Sequence, residues 1–164
     1  MPHTSPPSTA LLTDRYELTM LDASLHDGTA MRPSVFEVFA RRLPEGRRYG
    51  VVAGTARVVD ALAAFRFDDA TIRWLEAERI VTPSTLRWLA DFRFRGDVHA
   101  YREGEVHLGG SPVMTVVAPF AEALLVETVL LSILNHDAAI AAAAARMVSA
   151  ARGRRLLELS LIHI

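Results

Sequence analysis

The stretch VMTVVAPFAEALLVETVLLSIL, residues 113–134, changes its period part-way. It opens on a short β-branched run, residues 113–117, of the kind that forms a strand. From Ala121 onward leucine and alanine dominate, and the spacing becomes that of a helix over 121–134. A chain that commits to both elements in so short a space belongs to the mixed α and β class. Beyond it a second helix is expected over 137–151, with Asn135-His136 as the corner between the two. The consecutive alanines 141–145 favour helix and allow a neighbour to approach closely. Gly153 ends that helix, and residues 156–159 read as the opening of a buried strand with nothing left to pair with. On the other side, 97–102 and 105–108 are further β runs, separated by turn material such as Gly109-Gly110-Ser111-Pro112. With 113–117 they predict an antiparallel meander.

The amino-terminal half supplies the rest of the order. Residues 1–10, MPHTSPPSTA, read as a flexible tail. Asp14 caps a helix, Glu17 three residues on completes a capping box, and Leu18, Leu21 and Leu25 mark one face up to Gly28. Residues 33–42 alternate, with Phe36, Val38 and Ala40 against Glu37, Phe39 and Arg41, as a strand does. After a glycine-containing connection, a helix over 55–64 places Val58, Val59, Leu62 and Phe65 on one stripe. Two shorter helices follow over 69–77 and 83–92, each with a Trp-Leu pair.

Composition excludes several chemistries. With 51% hydrophobic residues the chain has ample material for a core. A net charge of −1 gives no global field for nucleic acid or an anionic membrane. Cysteine is absent, which removes disulfides, thiolate nucleophiles and Cys-ligated zinc. Lysine is absent too: all 18 basic residues are arginine, so Schiff-base chemistry and a P-loop lysine are excluded. Arginine suits carboxylate and phosphate recognition. No secretory signal pattern and no run of about 18 apolar residues that would span a membrane is read, so the expected location is cytoplasmic.

Four groups of residues are candidates for chemistry. Thr13 to Met20 is a helix start on the plainer reading. On the functional one, Tyr16 is presented at a helix N-terminus to stack on a flat aromatic ligand, beside the Asp14 carboxylate. Arg41, Arg42, Arg47 and Arg48 form either a solvated face or a local anion site. His99 and His107 lie on neighbouring β runs and would face each other, though two histidines fall short of a zinc site. His136 beside Asp137 is either an oriented base or the neighbour of a capping residue.

The residues also carry a resemblance. LLTDRYELTM at 11–20 resembles the LLTDxYELTM opening of nicotinate phosphoribosyltransferases. FEVFARRLP at 36–44 is similar to that family's FExFxRxLP strand, and DFRFRGDV at 91–98 to its LxxFRFxGDV segment. ETVLLSILN at 127–135 matches the ETxLLxILN helix, and Leu157-Glu158-Leu159 falls where the family has its first barrel strand. The resemblance implies an α+β N-terminal domain over 11–120. The start of an irregular α/β barrel of the type II phosphoribosyltransferase kind would follow over 121–159, as a helical pair and first strand, and then be truncated. Residues 160–164 depart from the family pattern and read as a non-native tail.

The implied activity makes nicotinate mononucleotide from nicotinate and phosphoribosyl pyrophosphate with ATP hydrolysis, in NAD biosynthesis, by a homodimer whose active sites are shared. Tyr16, with Asp14, Thr13 and Arg41, would contact substrate. No catalytic residue and no metal ligand falls in this stretch, since the family's arginine pair, phosphorylatable histidine and glycine-rich phosphate loops would lie beyond Leu159. ATP and Mg2+ would serve the full-length enzyme, and this fragment alone would be inactive. The alternatives are a nicotinamide phosphoribosyltransferase, which shares a TDxY-type opening, and a non-catalytic α+β dimerisation module.

Overall fold

Asp14 takes an extended backbone and Glu17 reaches back to it, so α1 (Arg15–Asp27) begins at the expected capping box and closes on left-handed Gly28. The computed structural model describes residues 9–157. In β1 (Pro33–Phe39), Phe36 and Val38 turn toward the interior while Glu37 and Phe39 face out, as the alternation predicts. The strand stops at Phe39, short of residue 42, with a slip in its register between Val38 and Phe39. Next come β2 (Gly50–Val51), α2 (Thr55–Ala64), α3 (Asp69–Ala77) and α4 (Pro83–Ala90). Val58, Leu62 and Phe65 are buried as expected, but Val59 is 54% exposed. It sits about 100° around the helix from Val58, beyond the buried stripe.

The remaining elements are β3 (Asp97–Ala100), β4 (Val106–His107), β5 (Pro112–Pro119) and α5 (Phe120–Ala151). They do not form the expected meander. β5 is the centre of a three-stranded antiparallel sheet between β1 and β3, and β4 pairs with β2 instead. Two bonds draw the intervening segment away: Gly104 N–H donates to Val52 O and Val52 N–H to Glu105 O, both at 2.8 Å. Gly50 also has no Cβ. One added there would lie 2.2 Å from His107 Nε2, so any larger residue would have to displace the buried His107 ring.

A second correction concerns the helical pair expected over 121–151. α5 is one uninterrupted helix of 32 residues, with no corner at Asn135-His136. Neither residue breaks a helix, and Leu-rich and Ala-rich turns flank them. Asp137, expected as a cap, is interior to the helix and holds Arg57 Nη1 at 2.6 Å, tying α5 to α2. By length and composition α5 also reaches what a membrane span requires, contrary to the sequence reading, and 44% of its most apolar window is buried inside the protein. Ala121, Ala123 to Val126, Val129, Leu130 and Leu134 pack into one core with Leu18, Leu21, Leu75, Leu89, Met114 and Val116.

β5 passes into α5 with no loop. The first N–H groups of the helix are taken by the α1–β1 connection: Phe120 N–H donates to Arg32 O and Ala121 N–H to Ala30 O, both at 2.9 Å. Buried Glu122 accepts from Arg95 N–H at 2.7 Å, which binds the segment before β3 to the same turn. Ala10, placed in the expected tail, is fully buried in the core, so the ordered fold begins earlier than residue 11. Leu156 and Leu157 are exposed and form no strand. Glu158, Leu159 and the expected tail 160–164 lie outside the described residues, as do residues 1–8.

Candidate functional site

Three of the four residues expected at substrate, Thr13, Asp14 and Tyr16, gather at the mouth of α1. The anchor there is Glu17, which is 0% exposed. Its Oε2 accepts from the Thr13 hydroxyl and from Asp14 N–H, the latter at 2.8 Å. Its Oε1 accepts from the Thr128 hydroxyl on α5, also at 2.8 Å. Burial of a carboxylate demands such donors. The helix start is thus fixed from both sides, and Tyr16, one residue before the anchor, is turned outward and 50% exposed.

Arg41 belongs to an adjoining surface. A groove of about 340 Å³ runs between β1 and α5, lined by Phe36, Glu37, Arg41, Val116 and Glu127 among others. Glu127 is the neighbour of Thr128, so the groove leads from the α1 mouth toward the end of β1. Burial pushes the Glu127 carboxyl above the ordinary range, and the charges of Glu17 and Asp14 push the same way. The Tyr16 phenol is likewise raised, by Glu127 first, then by burial and by Glu17 and Asp14. The mouth is therefore a region of negative potential with an aromatic ring on it, and an arginine stands across the groove.

The arginine series does not form a single site. Arg47 lines a different groove, with Tyr49, His107, Asn135 and Ala142, while Arg42 and Arg48 are exposed. The two β-run histidines do not face each other: His99 is exposed on β3, and His107 is buried on β4 in the other sheet. His107 Nδ1 lies 3.3 Å from Leu108 O. His136 Nδ1 is 2.8 Å from Asp137 Oδ1, and that carboxylate also holds Arg57, so the pair serves the α2–α5 contact. Glu127 and Thr128 were not singled out from the sequence. Their trace was there to find, as two polar residues inside the apolar run LLVETVLL. Among the described residues no three His, Asp or Glu side chains are grouped to hold a metal ion.

Residues 11–135 match the family model described as the nicotinate phosphoribosyltransferase N-terminal domain. The chain belongs to the nicotinate phosphoribosyltransferase family. A nicotinate phosphoribosyltransferase of Mycobacterium tuberculosis is 61% identical over 149 residues, 91% of this chain and 33% of that protein. The Bacillus subtilis nicotinate phosphoribosyltransferase is 36% identical over 140 residues, 85% of this chain and 29% of the other. The crystal structure of human nicotinic acid phosphoribosyltransferase superposes with a TM-score of 0.82 at 32% identity, covering 92% of this chain and 31% of that one. A nicotinate-nucleotide pyrophosphorylase from Pyrococcus furiosus shares the fold, with a TM-score of 0.70 at 21% identity, over 100% of this chain and 36% of that one. The chain thus spans about a third of the length of the relatives it matches.

Proposed function

We propose that this domain supplies the pyridine-facing side of a nicotinate phosphoribosyltransferase, which forms nicotinate mononucleotide from nicotinate and phosphoribosyl pyrophosphate with ATP hydrolysis, in NAD biosynthesis. The observation that carries this reading is Tyr16, half exposed at a helix mouth whose position a buried carboxylate fixes. An exposed ring on a rigid mount is a stacking platform for a flat heteroaromatic. Asp14 and Thr13 line the same mouth, and Arg41 offers a planar fork to a carboxylate or phosphate. Transfer of a ribosyl group from pyrophosphate passes through a cation-like ribose. The negative potential of Glu127, Glu17 and Asp14 suits positive charge developing beside the ring.

The relatives' additional length would carry the pyrophosphate clamp, the barrel and the sites for ATP and Mg2+, with Tyr16 offered across a homodimer interface to the partner's barrel. Residues 11–120 would then form the α+β domain and 121–159 the approach to the barrel. The assembly would work in the cytoplasm, and the 164-residue chain alone would turn over no substrate. The relatives described above are named for nicotinate, which favours it over nicotinamide and over a non-catalytic module.

In a complete enzyme carrying this domain, Tyr16→Ala is expected to raise the nicotinate KM roughly tenfold, the loss of about 1.4 kcal/mol of stacking. The unfolding free energy should change by less than about 1 kcal/mol, because the ring is half exposed. Steady-state kinetics with nicotinate and nicotinamide in parallel tests both points. An unchanged nicotinate KM would sink the stacking role.

A further inference from the structure

Glu17 and Thr128 lie 111 positions apart, in two of the sequence blocks quoted above, and their side chains meet at 2.8 Å. A capping box needs no such partner. Its local half is complete once Glu17 Oε2 has received the Thr13 hydroxyl and the Asp14 N–H. The other oxygen, Oε1, is aimed at α5 and takes the hydroxyl of a residue that sits in an apolar run. Valine in place of that threonine would match its shape and its apolar neighbours but would leave the buried Glu17 Oε1 without that donor. The hydroxyl therefore does something that packing alone does not require.

What it holds is the end of α1. Tyr16 is carried by the backbone of residues 14–17 and stands half exposed at the helix mouth, so where its ring sits depends on where that backbone is held. That backbone is fastened to the body of the fold through Glu17. We infer that Thr128 is a positioning residue for the pyridine pocket: through the buried Glu17 carboxylate it sets where the Tyr16 ring stands. This rests on the pocket proposed above. A reactant ring displaced by even an ångström loses alignment with the group it must meet, and such displacements are costly in rate or binding. Thr128 touches no substrate itself. Its effect should appear in the parameter that Tyr16 governs and in no other.

The test is a double-mutant cycle in a complete enzyme carrying this domain, with nicotinate as the varied substrate. Thr128→Val should raise the nicotinate KM about tenfold while kcat and the KM for phosphoribosyl pyrophosphate stay within about twofold. Thr128→Ser, which restores the hydroxyl, should return the nicotinate KM to its original value. In a Tyr16→Ala background, Thr128→Val should add nothing further. A valine variant with a lowered Tm and an unchanged nicotinate KM, beside a Tyr16→Ala enzyme whose KM has risen, would overturn the inference and leave the pocket standing. Full additivity of the two substitutions would overturn it as well, since Thr128 would then act independently of Tyr16. If Tyr16→Ala itself left the KM unmoved, the pocket and the inference would fall together. Should the valine variant not fold, Thr128→Ala removes the same hydroxyl and is read in the same way.

Discussion

The Glu17 carboxylate is held in the interior by two hydroxyls and a backbone N–H. Removing it takes the acceptor from the half-buried Thr13 and Thr128 hydroxyls and from the Asp14 N–H, and leaves a void in the core. Glu17→Ala is therefore expected to lower the unfolding free energy by about 2–4 kcal/mol, read by urea denaturation, with a smaller loss for Glu17→Gln. The sequence made half of this legible. Spacing identifies Glu17 as the third residue of a capped helix, because that relation is local. The bond to Thr128 is not local, and no periodicity announces it. Gly96 is a similar case: a Cβ there would fall 2.5 Å from the Ala118 Cβ and 2.8 Å from Val117 O, a contact between β5 and the segment before β3 that only the folded chain reveals.

At the scale of elements, α1, α3 and the alternation of β1 were readable because caps and short periods are written within a few neighbouring residues. The error at α5 has a plain physical source. Asn and His are weak helix formers, yet each costs only about 0.7 kcal/mol relative to alanine, and helical turns on both sides outweigh that. The ties of Asp137 to Arg57 and of Arg146 Nη2 to Tyr49 O, at 2.6 Å each, bind the second half of the helix to the body. Proline at the supposed corner would behave differently, since it removes a backbone donor and clashes with the preceding turn. His136→Pro should cost about 3 kcal/mol and reduce the helical signal in far-UV circular dichroism. If the variant melts like the parent, α5 is not continuous in solution. The β run at 105–108 was read and contains β4, but the two-residue β2 and its pairing with β4 were beyond the reach of the sequence, because a pair so short has no period to detect.

Over the whole molecule, the carboxylates displaced from their ordinary range are of two kinds. Asp22 loses hydration at the α1–α4 contact, but the Thr82 and Thr85 hydroxyls and the Thr82 N–H outweigh that and hold it below the ordinary range. The Thr71 hydroxyl and N–H lower Asp68, and Asp137 is lowered by His136, against some burial, and by Arg57. Each contributes stability that is present above the usual aspartate range and is lost as pH falls through the lowered value. Glu127, raised by burial, has the opposite sign: its contribution is present below the ordinary glutamate range and is lost as pH rises through its elevated value. Chemical denaturation across pH should therefore show parent stability falling relative to Glu127→Gln as pH rises above about 4.3, and falling relative to Asp22→Asn as the solution is acidified. A difference independent of pH in either comparison would contradict the assigned environments. The overall class, α+β with a long helix against a small antiparallel sheet, was legible from the change of period at residue 121. Which strands pair was not, because antiparallel order depends on loop geometry that composition does not encode.

The link between Glu17 and Thr128 also has a meaning in time. A ribosome releases the first helix long before the residue that clamps it, since 111 positions must be synthesised in between. Throughout that interval the carboxylate has only its near neighbours to hold, and the tyrosine swings on an unfastened end. The clamp closes a long loop, so the aromatic platform is set only once α5 has been made and has docked on α1.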